Sequence, residues 1–136
     1  MASKPETTFT GSIERHLPQK LYREKMFNSY RGGTFDKWYS GKISDLWVEY
    51  KFITLPKRDA TLIYPDLSGL QLKWGLDRHK EGRNVWVIVG CKEGGVILQS
   101  HEWDTPIRCD EFRSRLMKRS ELANWIVEQT GGICDP

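Results

Sequence analysis

No apolar run in the chain is long enough to cross a membrane, and residues 1–10 carry no signal-peptide pattern. The expected location is therefore the cytoplasm, without a membrane partner. Cysteine is scarce: Cys91, Cys109 and Cys134 are an odd number with no Cys-x-x-Cys pair. That excludes a disulfide framework and a zinc knuckle and leaves reduced thiols. His16, His79 and His101 have no His-x-x-x-His type of spacing, so a histidine-built metal centre is disfavoured and all three are expected on surfaces or loops. Internal repeats and low-complexity segments are lacking as well.

What is present suits one globular domain over residues 1–136, with a core at about 9–100 and a helical segment at about 111–131. At 136 residues the chain can bury a core without staples. Hydrophobic residues make up 38% and charged ones 29%. Six tryptophans point to a dense aromatic core, an interface or a stacking surface. A net charge of +3 permits nucleic-acid binding without demanding it, because a local basic patch matters more than the sum.

In chain order, residues 1–8 read as a loose start. Phe9, Ile13 and Leu17 recur at helical spacing, with Thr10 or Ser12 as cap and Pro18 as stop. Residues 21–27 alternate like a strand, 28–34 form a loop, and 36–40 form a second strand ending in a Gly41-Lys42 turn. Residues 44–53 are the most strand-like run. Alternation puts Asp45, Trp47, Glu49 and Lys51 on one face and Leu46, Val48, Tyr50 and Phe52 on the other. Asp45, early in this strand, reads as a turn residue.

Residues 54–65 read as a loop or ragged hairpin. A helix follows from Leu67 to about Lys80, capped by Asp66 and stopped by Gly82. Residues 84–91 and 94–100 are strands, the first nearly all apolar as in the middle of a sheet. A last helix spans 120–129, with Ser120 as cap and Gly131-Gly132 after it. Helix, three strands, helix, two strands and helix make an α/β fold, a mixed central sheet flanked by helices. If the strands at 45 and 85 are parallel, the helix between them is their crossover.

Taken alone, an acid and a lysine two apart on a strand are an ordinary solvated face. Here Glu49-Tyr50-Lys51 comes thirteen residues after Asp36, which opens the preceding strand behind Gly33-Thr34-Phe35. After them comes Leu67-Ser68-Gly69-Leu70-Gln71. This set resembles the PD-(D/E)XK nucleases, and within them the VRR-type (virus-type replication–repair) branch. That branch has Gly-x-Pro-Asp, hydrophobic-Glu-x-Lys and Leu-Ser-x-x-Gln in this order. The likeness covers roughly residues 13–89 and extends to small stand-alone phage-encoded endonucleases. Phe35 stands where the family has proline, a residue that shapes backbone and does no chemistry.

The resemblance implies a restriction-endonuclease-like core and a Mg²⁺-dependent DNA endonuclease, with Mn²⁺ able to substitute. Asp36, Glu49 and the Tyr50 carbonyl would hold the metal. Lys51 would hold the attacking water, and Gln71 would orient the lysine or a phosphate. An upstream acid completes such sites; Glu14 ranks first and Glu24 second. The residue types suit the chemistry: phosphodiester hydrolysis needs a basic water and a stabilised alkoxide, and hard Mg²⁺ binds carboxylates and phosphate oxygens.

Arg31, Lys57, Arg58, Arg78, Lys80 and Arg83 flank these residues and are candidates for a phosphate track, or else solvated charges. Arg113, Arg115, Lys118 and Arg119 are a further basic cluster, for DNA or for the polar side of an oligomer-forming segment. Trp38-Tyr39 and Trp103 are candidates for base stacking or for the core. With no added base-reading module, the expected partner is branched DNA such as a Holliday junction or flap, bound by a homodimer. Two rival readings are a sequence-specific homing or restriction-type enzyme of the same fold, and a catalytically silent DNA-binding or assembly protein.

Overall fold

The computed structural model describes residues 3–27 and 32–133. Its first helix, α1 (Lys4–Glu14), begins and ends earlier than the apolar spacing suggests. The cause is local. Ser3 and Glu6 cap each other reciprocally, and Pro5 sits in the first turn, where no N–H is needed. Thr10 and Ser12, expected as caps, lie inside the helix and donate to the Glu6 and Phe9 carbonyls.

Next come β1 (Tyr22–Lys25), β2 (Lys37–Ser40) and β3 (Asp45–Phe52), an antiparallel meander. The chain continues through β4 (Leu62–Ile63), α2 (Gly69–Lys80), β5 (Val85–Cys91) and β6 (Gly94–Leu98). A 3-10 turn at Ser100–Glu102 leads to β7 (Ile107–Arg108), α3 (Cys109–Ser114) and α4 (Arg119–Thr130). The main sheet runs β1-β2-β3-β5-β6. β5 lies parallel to β3 with α2 as the crossover, and every other pairing is antiparallel. This is the mixed α/β sheet flanked by helices that the element order predicts.

Strand alternation gives the sheet two covered faces. Leu46, Val48 and Tyr50 of β3 pack with Phe9 and Ile13 of α1 and Leu122 and Ile126 of α4. On the opposite face, Trp47 lies with Val85, Val87 and Val89 under Phe35, Leu72, Trp74 and Trp103. β5 feeds both cores, Ile88 on one side and its valines on the other, which explains its unbroken apolar run.

Several local expectations are corrected. Residues 54–65 are not all loop: Leu62–Ile63 pairs with Ile107–Arg108, burying Ile63 and Ile107, a long-range pairing that no local pattern announces. α2 is capped by Ser68; Asp66 instead takes a left-handed φ of 60° before it. α4 starts at Arg119, with the Glu121 carboxylate accepting from the Lys118 N–H, so Ser120 is already helical.

The basic cluster is engaged within the chain. Arg113 bonds Asp59 and the Pro56 carbonyl, and Arg115 bonds Glu102 and the Ile97 carbonyl. Arg119 bonds Ser12 and lies over the Phe9 ring. Trp103 is core: it is buried and donates its indole N–H to the Leu98 carbonyl. Tyr39 is buried too, while Trp38 stacks on Trp47 at 5.6 Å with rings 9° from parallel. Cys91 and Cys109 are free and buried; Cys134 lies outside the described residues. Among the described residues no helix is long and apolar enough to cross a membrane.

Candidate active site

Three pieces of chain meet at the end of β2. The first is the approach to Asp36. Gly33 crosses the start of α2 so closely that a Cβ would lie 2.6 Å from the Leu70 carbonyl oxygen. Phe35 is fully buried against Trp74 and Trp103, and Gly75 of α2 leaves room for its ring. Burial of this ring anchors the backbone just before Asp36, at the position where the resembling family has proline.

The second piece is β3. Glu49 is only 4% exposed. Its Oε1 accepts the Asp36 backbone N–H at 3.1 Å, and its Oε2 accepts the Gln71 amide at 3.1 Å. Lys51 follows on the same face, its Nζ 3.8 Å from Glu49 Oε2 and 3.0 Å from Gln71 Oε1.

The third is the first turn of α2. Gln71 and Ser68 cap each other: Ser68 Oγ accepts the Gln71 N–H, and Gln71 Oε1 accepts the Ser68 N–H. An ammonium only donates, so the amide oxygen must face Lys51, which turns the amide NH₂ toward Glu49. One side chain thus closes the helix start and orients both Glu49 and Lys51.

The electrostatics follow from burial. Removal from water pushes the Glu49 carboxyl up to about 7; Lys51 opposes this, and Asp36 adds to it. Asp36 is raised as well, by burial first, with Lys25 and Lys37 pulling the other way.

The backbone supplies another oxygen. Trp47 N–H donates to Asn84 and Ile53 N–H to Gly90, so the odd-numbered residues of β3 turn their backbone groups toward β5. Those of Tyr50 therefore point to the β2 side. There β2 has already ended, since Lys37 is the partner of Val48. The Tyr50 carbonyl faces the gap beside Asp36, while its side chain is buried on the α1 face.

Asp36 joins the two faces of the sheet. On the α1 side it lines a cleft with Glu14, Lys25 and Lys37. Glu14, the last residue of α1, is held 3.1 Å from Lys37 Nζ and accepts the Tyr39 hydroxyl at 2.8 Å. Tyr39 is in turn 2.8 Å from the Tyr50 hydroxyl, and burial raises both phenols above their ordinary value.

No family model matches the chain, and no curated protein matches it. Among solved structures it is similar to Hjc of Archaeoglobus fulgidus, a Holliday junction resolvase from an archaeal hyperthermophile. The TM-score is 0.54 at 12% identity, over 87% of this chain and 99% of that one. The chain has the restriction-endonuclease-like fold.

Within that fold, Asp36, Glu49, Lys51 and Gln71 converge, and Glu14 lines the same cleft as Asp36. Glu24, the second-ranked acid, is exposed and accepts the Tyr22 hydroxyl. Arg31 lies outside the described residues. Lys57 and Arg58 are exposed in the loop before β4. Arg78 is two turns along α2 from Gln71, where it pairs with Glu81 and lies over Trp74. Lys80 and Arg83 are exposed at and beyond that same end. Sequence alone did not mark Lys25 or Lys37, and it offered Tyr39 only as a stacking or core residue. The available signal was alternation: Arg23 and Lys25 on one strand, and Lys37 and Tyr39 on the next, share the face that α1 covers.

Proposed function

We propose that the chain is a divalent-metal-dependent DNA endonuclease of the PD-(D/E)XK type, formed by residues 1–136 as one domain. The supporting observation is Glu49: a buried carboxylate, pushed up to about 7, held in place between the Asp36 N–H and the Gln71–Lys51 pair. Two carboxylates and the Tyr50 carbonyl are a hard oxygen set, and a buried acid with a half-buried one acting on it favours a cation between them. The described residues bring no three Asp, Glu, His or Cys side chains into a metal cluster. Water and substrate oxygens would complete the shell, the arrangement magnesium accepts and manganese can share. When bound, the ion supplies a more acidic water and offsets charge on the phosphate oxygens.

The remaining roles belong to side chains. Asp36 and Glu49 would hold the ion, with the Tyr50 carbonyl. Lys51, on the Glu49 face, directs its ammonium to the attacking water and to charge developing on phosphorus. Gln71 fixes the direction of that ammonium. Glu14 is the upstream acid of the cleft. Branched DNA, a four-way junction or flap, is the proposed substrate, supported by the similarity to Hjc, a Holliday junction resolvase. A homodimer with two sites would make paired nicks. The VRR-type motif order favours a role in phage-type replication, recombination or DNA breakdown.

The test is a cleavage assay on four-way junction, flap, single-stranded and linear duplex DNA, with Mg²⁺ or Mn²⁺, beside Glu49→Ala. The expected result is metal-dependent cutting of branched substrates that Glu49→Ala abolishes. Discrete sequence-dependent fragments from linear duplex would favour a restriction-type enzyme. Absence of both cutting and calorimetric metal binding would leave a silent DNA-binding protein.

A further inference from the structure

The cleft beside Asp36 has a volume of about 160 Å³ and a composition that the metal site does not explain. Lys25 and Lys37 are register partners on β1 and β2, so two ammonium groups leave adjacent strands on one face. Like charges directly opposite one another are unfavourable unless something offsets them. Lys37 is offset by Glu14 at 3.1 Å. Lys25 makes no ion pair among the described residues; its ammonium lies 5.7 Å from the centre of the Phe27 ring. It lines the cleft with no carboxylate at ion-pair distance among the described residues, Asp36 acting on it only at longer range.

The opposite wall carries a second anomaly. Gly11 sits within α1, where glycine weakens a helix, yet a Cβ there would meet nothing within 4 Å. Packing inside the protein does not call for glycine at this position. The space its missing side chain leaves belongs to the cleft.

We propose that this cleft seats a phosphate group of the DNA strand next to the one being cut, with Lys25 as its cation and Gly11 giving it room. The assignment rests on the nuclease reading. The two acids in the cleft do not oppose it. Glu14 is already tied to Lys37 and Tyr39, and Asp36 is assigned to the metal. The Lys37 ammonium, with three donors, has bonding capacity beyond Glu14. A phosphate here lies on the α1 side of Asp36, while Glu49 and Lys51 lie on the other. The strand would then pass over the end of β2, gripped on one face of the sheet and hydrolysed on the other.

The test combines Lys25→Gln, Gly11→Leu and, as control, Lys42→Gln in the β2–β3 turn, at the far end of β2 from Asp36. Each is melted, titrated against a labelled four-way junction over a salt series, and assayed for cleavage of that junction with Mn²⁺ beside the wild type. Loss of one phosphate contact lowers the slope of log K against log salt by about 0.9 and the affinity by about tenfold. Lys25→Gln should show this. Gly11→Leu should melt no lower than wild type and still bind about tenfold more weakly, and Lys42→Gln should match the wild type. A neutral methylphosphonate at the phosphate beside the cut should weaken the wild type but not Lys25→Gln. If Lys25→Gln and Gly11→Leu bind with wild-type slope and affinity, the phosphate seat is wrong while the nuclease reading stands. A wild type that cuts none of the substrates counts against the nuclease reading instead.

Discussion

Glu14 and Glu49 are both withdrawn from water, one on each face of the sheet, and they are satisfied in opposite ways. The Glu14 side chain is 15% exposed and has a lysine at 3.1 Å and a tyrosine hydroxyl at 2.8 Å. The Glu49 side chain is 6% exposed, and its close donors are a backbone N–H and a neutral amide, each at 3.1 Å. Its lysine stands off at 3.8 Å, bonded to the amide oxygen instead. Glu14 has its counter-ion in Lys37. Glu49 has geometry without full charge compensation, so burial pushes it up to about 7 and leaves it with a demand for a cation.

The most severe way to break this contrast is Lys51→Ala. Cleavage should fall by about a hundredfold or more, because in the proposed mechanism the ammonium acts on the reacting phosphate. Junction binding should stay within about threefold of wild type by anisotropy. Unchanged cleavage would remove Lys51 from the mechanism.

A second test uses pH on the metal-free protein. A carboxyl raised from 4.5 to about 7 favours the folded state when protonated. That contribution is fully present below about pH 4.5 and is lost as pH rises through about 7, amounting to about 3 kcal/mol at most. Glu49→Gln cannot titrate, so its urea stability should gain on wild type by up to that amount between pH 4.5 and pH 8. A gap that stays constant with pH would contradict the burial argument. Added Mg²⁺ should restore wild type at pH 8 and leave Glu49→Gln unmoved.

The smallest effect is expected from Tyr39→Phe, which deletes the hydroxyl that Glu14 and Tyr50 share. Loss of a buried hydrogen bond should cost about 1–2 kcal/mol in urea unfolding. Cleavage should fall far less than in Lys51→Ala. An equal loss of cleavage in the two variants would show that the Glu14 side is as reactive as the Glu49 side.

The readable part of the site was whatever lies within one strand or one helix turn. Glu49 and Lys51 share a face because side chains alternate; the Ser68–Gln71 capping box is just as local, though the sequence pointed to Asp66 as the cap. Asp36 reaches Glu49 across a single antiparallel turn. The reciprocal Ser3–Glu6 cap was equally local, and overlooking it displaced the start of α1. The arginines at 113, 115 and 119 were not readable as internal braces. Their partners, Asp59, Glu102 and Ser12, are distant in sequence and come close only after the sheet is assembled.

By itself the sequence determined periodicities: an alternating β3, an all-apolar β5 and a helix between them, a crossover only if the two strands run parallel, as they do. Those follow from backbone geometry and the pattern of apolar residues, which act over a few positions. Tertiary structure alone decided which charges are compensated. Whether a carboxylate finds a lysine at 3.1 Å or at 3.8 Å depends on how strands register and how deeply each is buried. That distinction separates Glu14 from Glu49, and register separates the Lys37 ammonium, paired with Glu14, from that of Lys25, which has no ion pair among the described residues.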